Sequence, residues 1–206
     1  MFSIVDYDTG NTRNLKKALD YLNIENELTS DKSKILKAEA VILPGVGAFK
    51  AAMSKLEERN LVEVLKQVAK KKTPILGICL GMQLLFDSSQ EYGFTNGLGL
   101  IAGKVEQIPD KGLKIPQMGW NQNKIIQNSS FDSVKDQYTY FVHSYYANCD
   151  IKNTIAAVDY GIKIPSIVQN ENVVGMQFHP EKSGSVGLKL LKNFQEMVKT
   201  NDFSSN

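Results

Sequence analysis

Cysteine and histidine are scarce in this sequence, with two of each in 206 residues. Cys79 and Cys149 make no disulfide framework, so no oxidising compartment is implied and a cytoplasmic location is expected. No His/Cys/acid cluster has zinc-ligand spacing, so no metal is expected. Apolar runs fall well short of the ~18 residues that a membrane span needs. The segment Met1-Phe2-Ser3-Ile4-Val5-Asp6 carries no basic n-region, which argues against a signal peptide. An excess of one charge is also missing. Lys and Arg number 24 against 22 Asp and Glu, a formal net charge of +2, so nothing electrostatic favours nucleic acid. The densest basic stretch, Lys70-Lys71-Lys72, ends a predicted helix, where cations complement the dipole.

The composition is that of a folded chain, 42% apolar and 22% charged. A chain of this length buries roughly 70% of its unfolded surface, enough for one substantial core. No repeat, low-complexity tract or linker divides it. The expectation is one domain over 1–206, with a polar tail that frays from about residue 200. The first half alternates apolar runs with helical patterns. Phe2–Asp6, Ala40–Leu43 (stopped by Pro44-Gly45) and Pro74–Ile78 read as buried strands. Leu15, Ala18, Leu19 and Leu22 share one helix face, and Leu61, Val64, Leu65 and Val68 another. Fully apolar strands alternating with helices predict a parallel sheet covered on both faces. The second half holds more strands, at Thr139–Val142, Thr154–Val158, Ser166–Gln169 and Val173–Phe178. Asn170-Glu171-Asn172 is the turn between the last two. A final helix carries Leu190, Leu191, Phe194, Met197 and Val198. The fold class is therefore α/β, a three-layer, flavodoxin-like, mostly parallel sheet with added antiparallel strands.

Gly77-Ile78-Cys79-Leu80-Gly81 follows an apolar strand and precedes a helical pattern, Met82–Phe86. It fits a nucleophile elbow, in which flanking glycines make room for a sharp strand-to-helix turn. It equally fits a core cysteine beside tightly packed glycines. A helix start would favour a thiolate and the oxyanion its attack creates. His179 ends an apolar strand in Gln177-Phe178-His179-Pro180-Glu181. Residues two apart in an extended segment face the same way, which puts Glu181 in reach of the imidazole as its orienting acid. His143 has no acid within two residues and reads as a pocket wall or a hydrogen-bonded structural residue. Cys149, beside Asp150, has no elbow and reads as inert. Pro44-Gly45-Val46-Gly47 fits either a strand terminator or, with the N–H of Leu80, an oxyanion hole. Gly45–Lys50 lacks the third glycine of a dinucleotide fingerprint, and Gly103-Lys104 is no P-loop. Cofactor-free acyl chemistry is the expectation.

Together, Pro44-Gly45-Val46-Gly47, Gly77-Ile78-Cys79-Leu80-Gly81-Met82-Gln83 and Phe178-His179-Pro180-Glu181-Lys182-Ser183 resemble the class I glutamine amidotransferases. Gly119-Trp120-Asn121, Val142-His143-Ser144-Tyr145 and Asp6-Tyr7 with Gly10-Asn11 are similar, more narrowly, to glutaminase subunits of imidazole glycerol phosphate synthase. The resemblance implies that Cys79, His179 and Glu181 hydrolyse the side-chain amide of glutamine through a thioester. It implies that the N–H groups of Val46 and Leu80 hold the oxyanion, and that Gly47, Gln83, Ser144 and Tyr145 surround the glutamine. Asn11, Asn14, Trp120 and Asn121 would face a (β/α)₈ synthase (cyclase) subunit in a heterodimer. Ammonia would pass to that subunit, which makes imidazole glycerol phosphate and an aminoimidazole carboxamide ribotide. The peptide of Val46, flanked by glycines, is expected to depend on docking for its aim. Asp8 and Ala102 depart from the family's usual glycine and proline. Other readings are a paralogue that feeds ammonia to a different synthase, such as one amidinating a surface sugar, a catalytically silent assembly module, and a protease.

Overall fold

The structure, a computed structural model, describes residues 1–8 and 12–203. Its first half alternates strand and helix. In order these are β1 (Phe2–Val5), α1 (Thr12–Tyr21), β2 (Asn26–Thr29), α2 (Lys32–Lys37), β3 (Ala40–Gly45), α3 (Phe49–Glu58), α4 (Val62–Lys70), β4 (Ile75–Cys79) and α5 (Leu80–Leu84). Strands then dominate: β5 (Phe86–Ser89), β6 (Thr95–Asn96), β7 (Ile101–Gln107), β8 (Gln117–Ile125), β9 (Tyr138–His143), β10 (Tyr145–Cys149), β11 (Thr154–Asp159), β12 (Lys163–Asn170) and β13 (Val173–Met176). Helix α6 (Gly184–Thr200) follows.

The main sheet runs β2-β1-β3-β4-β13-β12-β11-β8-β9. Its first five strands are parallel in the flavodoxin order, and from β13 outward every pairing is antiparallel. All residues of β1, β3, β4 and β13 are buried, as expected of parallel strands covered on both faces. The period-2 alternation sorts their side chains. Phe2, Ile4, Ala40, Ile42, Leu76 and Ile78 pack with Leu15 and Leu19 of α1 and Phe194 of α6. Val5, Val41, Leu43 and Ile75 pack with α2, α3 and α4 and with Phe86, Ile101 and Val105 of a second sheet, ordered β10-β7-β5-β6. Among the described residues no helix is long and apolar enough to cross a membrane.

Several boundaries differ from the sequence reading. Pro44-Gly45 does not stop β3. Both residues stay in register with Ile78 and Cys79, because the β4 side of the ladder needs nothing from proline's missing N–H. Phe86 is not helical. The carbonyls of Leu84 and Leu85 accept from Leu98 and Leu100, which ends α5 after five residues and lets β5 begin. Strand β13 stops at Met176, short of Phe178. Helix α6 runs through Thr200, and Phe203 packs against the core. The turn at Glu171-Asn172 does form the expected hairpin, with Glu171 at φ 51°.

Strands β3, β4 and β13 end side by side, with Gly45 opposite Cys79 and Met176 opposite Ile78. Their C-terminal edge is where open α/β sheets present their binding crevices.

Candidate active site

Strand β4 delivers Cys79 at this edge with φ 55° and ψ −114°, a conformation that costs a non-glycine residue about 1–3 kcal/mol. The flanking glycines are a steric requirement. A Cβ on Gly77 would stand 2.7 Å from the Gly81 carbonyl oxygen, and one on Gly81 only 1.8 Å from that of Leu43. The turn from strand into α5 therefore closes only around hydrogen atoms at both positions. With five residues, α5 carries little macrodipole, contrary to the expected contribution from a longer helix. Negative charge at Cys79 must rest on individual N–H groups and on the imidazole.

His179 is 3% exposed, and its Nδ1 lies 2.8 Å from Glu181 Oε1. Cys79 lies close enough to act on the imidazole, and with Nδ1 given to Glu181 the nitrogen left for the sulfur is Nε2. Burial opposes the imidazolium, but the interactions with Cys79 and Glu181 outweigh it and raise the pKa to about 9. The structure thus brings Cys79, His179 and Glu181 together, by a different local route from the expected one. Glu181 sits inside a 3₁₀ turn, Pro180–Lys182, rather than along an extended strand. Proline opens that turn, where no N–H is needed. Ser183 fixes the turn to β9: its hydroxyl donates to the carbonyl of His179 at 2.7 Å and accepts from the N–H of Tyr140 at 3.0 Å.

Cys79 and His179 open on a cleft of about 380 Å³, also lined by Val46, Gly47, Leu80, Gln83, Glu91, Tyr92, Pro116, Val142, His143, Ser144 and Tyr145. All the pocket residues implied by the resemblance are there. Val46 is 42% exposed, and Gly47 has φ 95°. One backbone carbonyl, that of Tyr145, fixes two side chains. It accepts from Gln83 Nε2 at 2.9 Å and meets His143 Nδ1 at 2.7 Å. A carbonyl only accepts, so both nitrogens must carry hydrogen there. The second N–H of Gln83 goes to Gln177 Oε1 at 3.1 Å. Burial, only partly offset by the Tyr145 carbonyl and reinforced by the charge of His179, lowers the His143 pKa to about 4 and keeps the ring neutral at pH 7. His143 is thus both a pocket wall and a hydrogen-bonded residue, and its Nε2 has no partner among the described residues.

Two polar residues, Glu91 in the cleft wall and Gln177 behind Gln83, had no role in the sequence reading. Glu91 comes from the loop after β5 and accepts the N–H of Phe49 through Oε2 at 2.7 Å. Gln177 lies wholly buried behind Gln83. Its place two residues before His179 was the available signal; Glu91, in a polar loop, had none. Cys149 is remote, beside β7; burial, then the charge of Asp150, pushes its thiol up. Of the residues expected to face a partner, Asn11 lies outside the described residues. Asn14 is exposed, Asn121 half-buried and Trp120 53% exposed, with its ring edge-on to Tyr140 at 6.0 Å. Asp8 adopts φ 63°, which explains the usual glycine there, and its carboxylate pairs with Arg59.

Residues 3–197 match the family described as glutamine amidotransferase class-I. The chain is 61% identical to the imidazole glycerol phosphate synthase subunit HisH of Lactiplantibacillus plantarum, over all of both chains. It is 50% identical to the subunit of the same name from Listeria monocytogenes serotype 4b, over 97% of each. A crystal structure of a glutamine amidotransferase superposes with a TM-score of 0.76 at 19% identity, over 96% of this chain and 98% of that one, a likeness of fold. The chain belongs to the class I glutamine amidotransferases and, within them, to the HisH subunits of imidazole glycerol phosphate synthase.

Proposed function

We propose that this chain hydrolyses the side-chain amide of glutamine to glutamate and ammonia, and that it hands the ammonia to a (β/α)₈ synthase subunit. The hydrogen bond between His179 and Glu181, with Cys79 acting on that imidazole and both Cys79 and His179 lining a cleft sized for a small polar ligand, carries this reading. The sulfur attacks the amide carbon. The oxyanion that forms lies against the N–H of Leu80, the residue after the nucleophile, and that of Val46 across the cleft. His179, protonated at neutral pH, gives its proton to the departing nitrogen, and ammonia leaves. Glu181 keeps the ring in the tautomer that presents Nε2 to the sulfur. Water then enters, His179 takes a proton from it, and the thioester breaks to release glutamate and restore Cys79.

The cleft supports glutamine as the substrate. Among the described lining residues Glu91 is the one carboxylate, suited to the α-ammonium, and no Lys or Arg occurs. Gln83, with both N–H groups engaged, presents its carbonyl oxygen as an acceptor. His143, neutral, adds wall without a competing charge. On the outer surface Met118, Trp120 and Tyr138 are more than half exposed on β8 and β9, beside Tyr140 under the Lys182 ammonium. This apolar, cation-edged strip suits the synthase subunit. The test is ammonia release from glutamine with candidate synthase subunits added one at a time. Stimulation by the subunit that makes imidazole glycerol phosphate supports the reading. Stimulation only by a sugar-amidinating synthase reassigns the pathway, and peptide cleavage without ammonia release refutes the chemistry.

A further inference from the structure

We propose that Tyr7 is a positioning residue for this reaction: its hydroxyl, by holding the carbonyl of Pro44, sets how the Pro44–Gly47 segment is presented to Cys79. Tyr7 is fully buried, and its Oη donates to the Pro44 oxygen at 2.6 Å. That carbonyl needs a partner from outside the ladder. Strand β1 pairs with β3 only as far as Ile42, so two residues later β3 has a strand neighbour on the β4 side alone. A buried carbonyl left unpaired there would loosen the strand end or pull it toward water. The tyrosine supplies the missing bond at the last position before the cleft.

The anchoring is tight on both sides. Gly45 lies opposite Cys79 in the β3–β4 ladder, and a Cβ on it would stand 2.7 Å from Tyr7 Oη and 2.9 Å from the Gly81 N–H nitrogen. The segment that ends in Val46 is thus wedged between the tyrosine hydroxyl and the first turn after the nucleophile. Tyr7 is itself held. The N–H of Asp6 bonds the carbonyl of Thr29 at 3.0 Å, and Asp8 pairs with Arg59 at the end of α3. A backbone hydrogen bond and an ion pair therefore flank the tyrosine whose hydroxyl reaches the oxyanion side of the cleft. Neither composition nor periodicity marks Tyr7 for such a role, which only the tertiary contact reveals.

This inference rests on the amidase reading above, and its test separates the two. The full chain, with its synthase subunit present, is compared as wild type, Tyr7→Phe, and a variant carrying p-aminophenylalanine at position 7, which restores a donor. Three quantities are read: kcat and KM for glutamine, and the rate at which iodoacetamide alkylates Cys79, a displacement at a saturated carbon that creates no oxyanion. The expected result for Tyr7→Phe is a fall in kcat of about 10-fold or more, approaching the ~10²–10³ for losing an oxyanion donor outright. KM stays within about twofold, as for an interaction made only in the transition state. Alkylation is unchanged, and the amino variant recovers turnover. If Tyr7→Phe does not fold, p-fluorophenylalanine, which fills the same volume without a donor, takes its place with the same expected values. Unchanged kcat in a folded donor-free variant overturns the proposal, as does a fall matched by slower alkylation. Absence of ammonia release by the wild type in the same assay overturns the amidase reading instead, and undiminished release by Cys79→Ala overturns the assignment of Cys79 as its nucleophile.

Discussion

Nδ1 of His179 stands 2.8 Å from Oε1 of Glu181, and only 4% and 3% of the two side chains is exposed. A carboxylate so enclosed steadies the imidazolium and fixes its tautomer. Glu181→Gln keeps the volume and removes the charge, and it is expected to lower kcat by ~10²–10⁴. The hydrogen bond and charge of Glu181 help raise the His179 pKa to about 9, so their loss lowers it. The alkaline limb of the kcat/KM profile, near pH 9 in the wild type, should move toward neutrality in the variant.

The two histidines predict a stability optimum. His143, held neutral with a pKa of about 4, takes up a proton less readily folded than unfolded, where its value is 6.5. Its contribution is complete above pH 6.5 and is lost as pH falls from 6.5 toward 4. His179 has the opposite sign. Raised to about 9, it contributes fully below 6.5 and loses that contribution as pH rises from 6.5 through 9. With no other histidine in the chain, stability should peak near pH 6.5, falling on either side by at most roughly 1.4 kcal/mol per pH unit per group. Thermal melts from pH 5 to 9 check this, and His143→Gln should flatten the acid side alone.

Glycines at the site should separate into two kinds. Gly81→Ala, with its Cβ driven 1.8 Å from the Leu43 carbonyl oxygen, is expected to cost more than ~4 kcal/mol and to yield little folded protein. Gly47→Ala meets nothing within 4 Å, but φ 95° strains any side chain. It should fold, with stability reduced by about 1–2 kcal/mol and turnover slowed. Denaturation midpoints and kcat for the two variants decide it.

The exposed ring of Trp120 should matter to assembly rather than folding. Trp120→Ala is expected to change the stability of the isolated chain by no more than about 0.5 kcal/mol. It should weaken association with the synthase subunit by about 2 kcal/mol, close to thirtyfold in Kd. Calorimetric titration of the two subunits measures the second quantity.

The sequence carries the parallel half of the fold openly because β1, β3 and β4 are buried on both faces and so read as apolar runs. The antiparallel half hides. Strand β8 buries Gln117 and Asn123 on its inner face, polar residues that erase the alternation a half-buried strand should show. Strand β2, at the sheet edge, buries only Thr29, and α2 buries only Ile35, too little for any periodicity to register. At the site, Cys79, His179 and Glu181 were legible because each sits in a short segment whose geometry its neighbours dictate. Glu91 and Tyr7 act through contacts 42 and 37 residues away in the chain, which no local pattern encodes, and Gln177, marked only by its place before His179, meets Gln83 across 94 residues.

The central claim is that the sulfur of Cys79 attacks the amide carbon of glutamine with His179 as its proton carrier. Rapid acid quench of the chain with its synthase subunit during turnover, followed by mass analysis of the peptide containing Cys79, tests it most directly. The expected result is a glutamyl adduct on that peptide, formed from glutamine, lost on standing with hydroxylamine and absent from Cys79→Ser. Ammonia released at the wild-type rate with no adduct at Cys79, or by the Cys79→Ser chain, would contradict it.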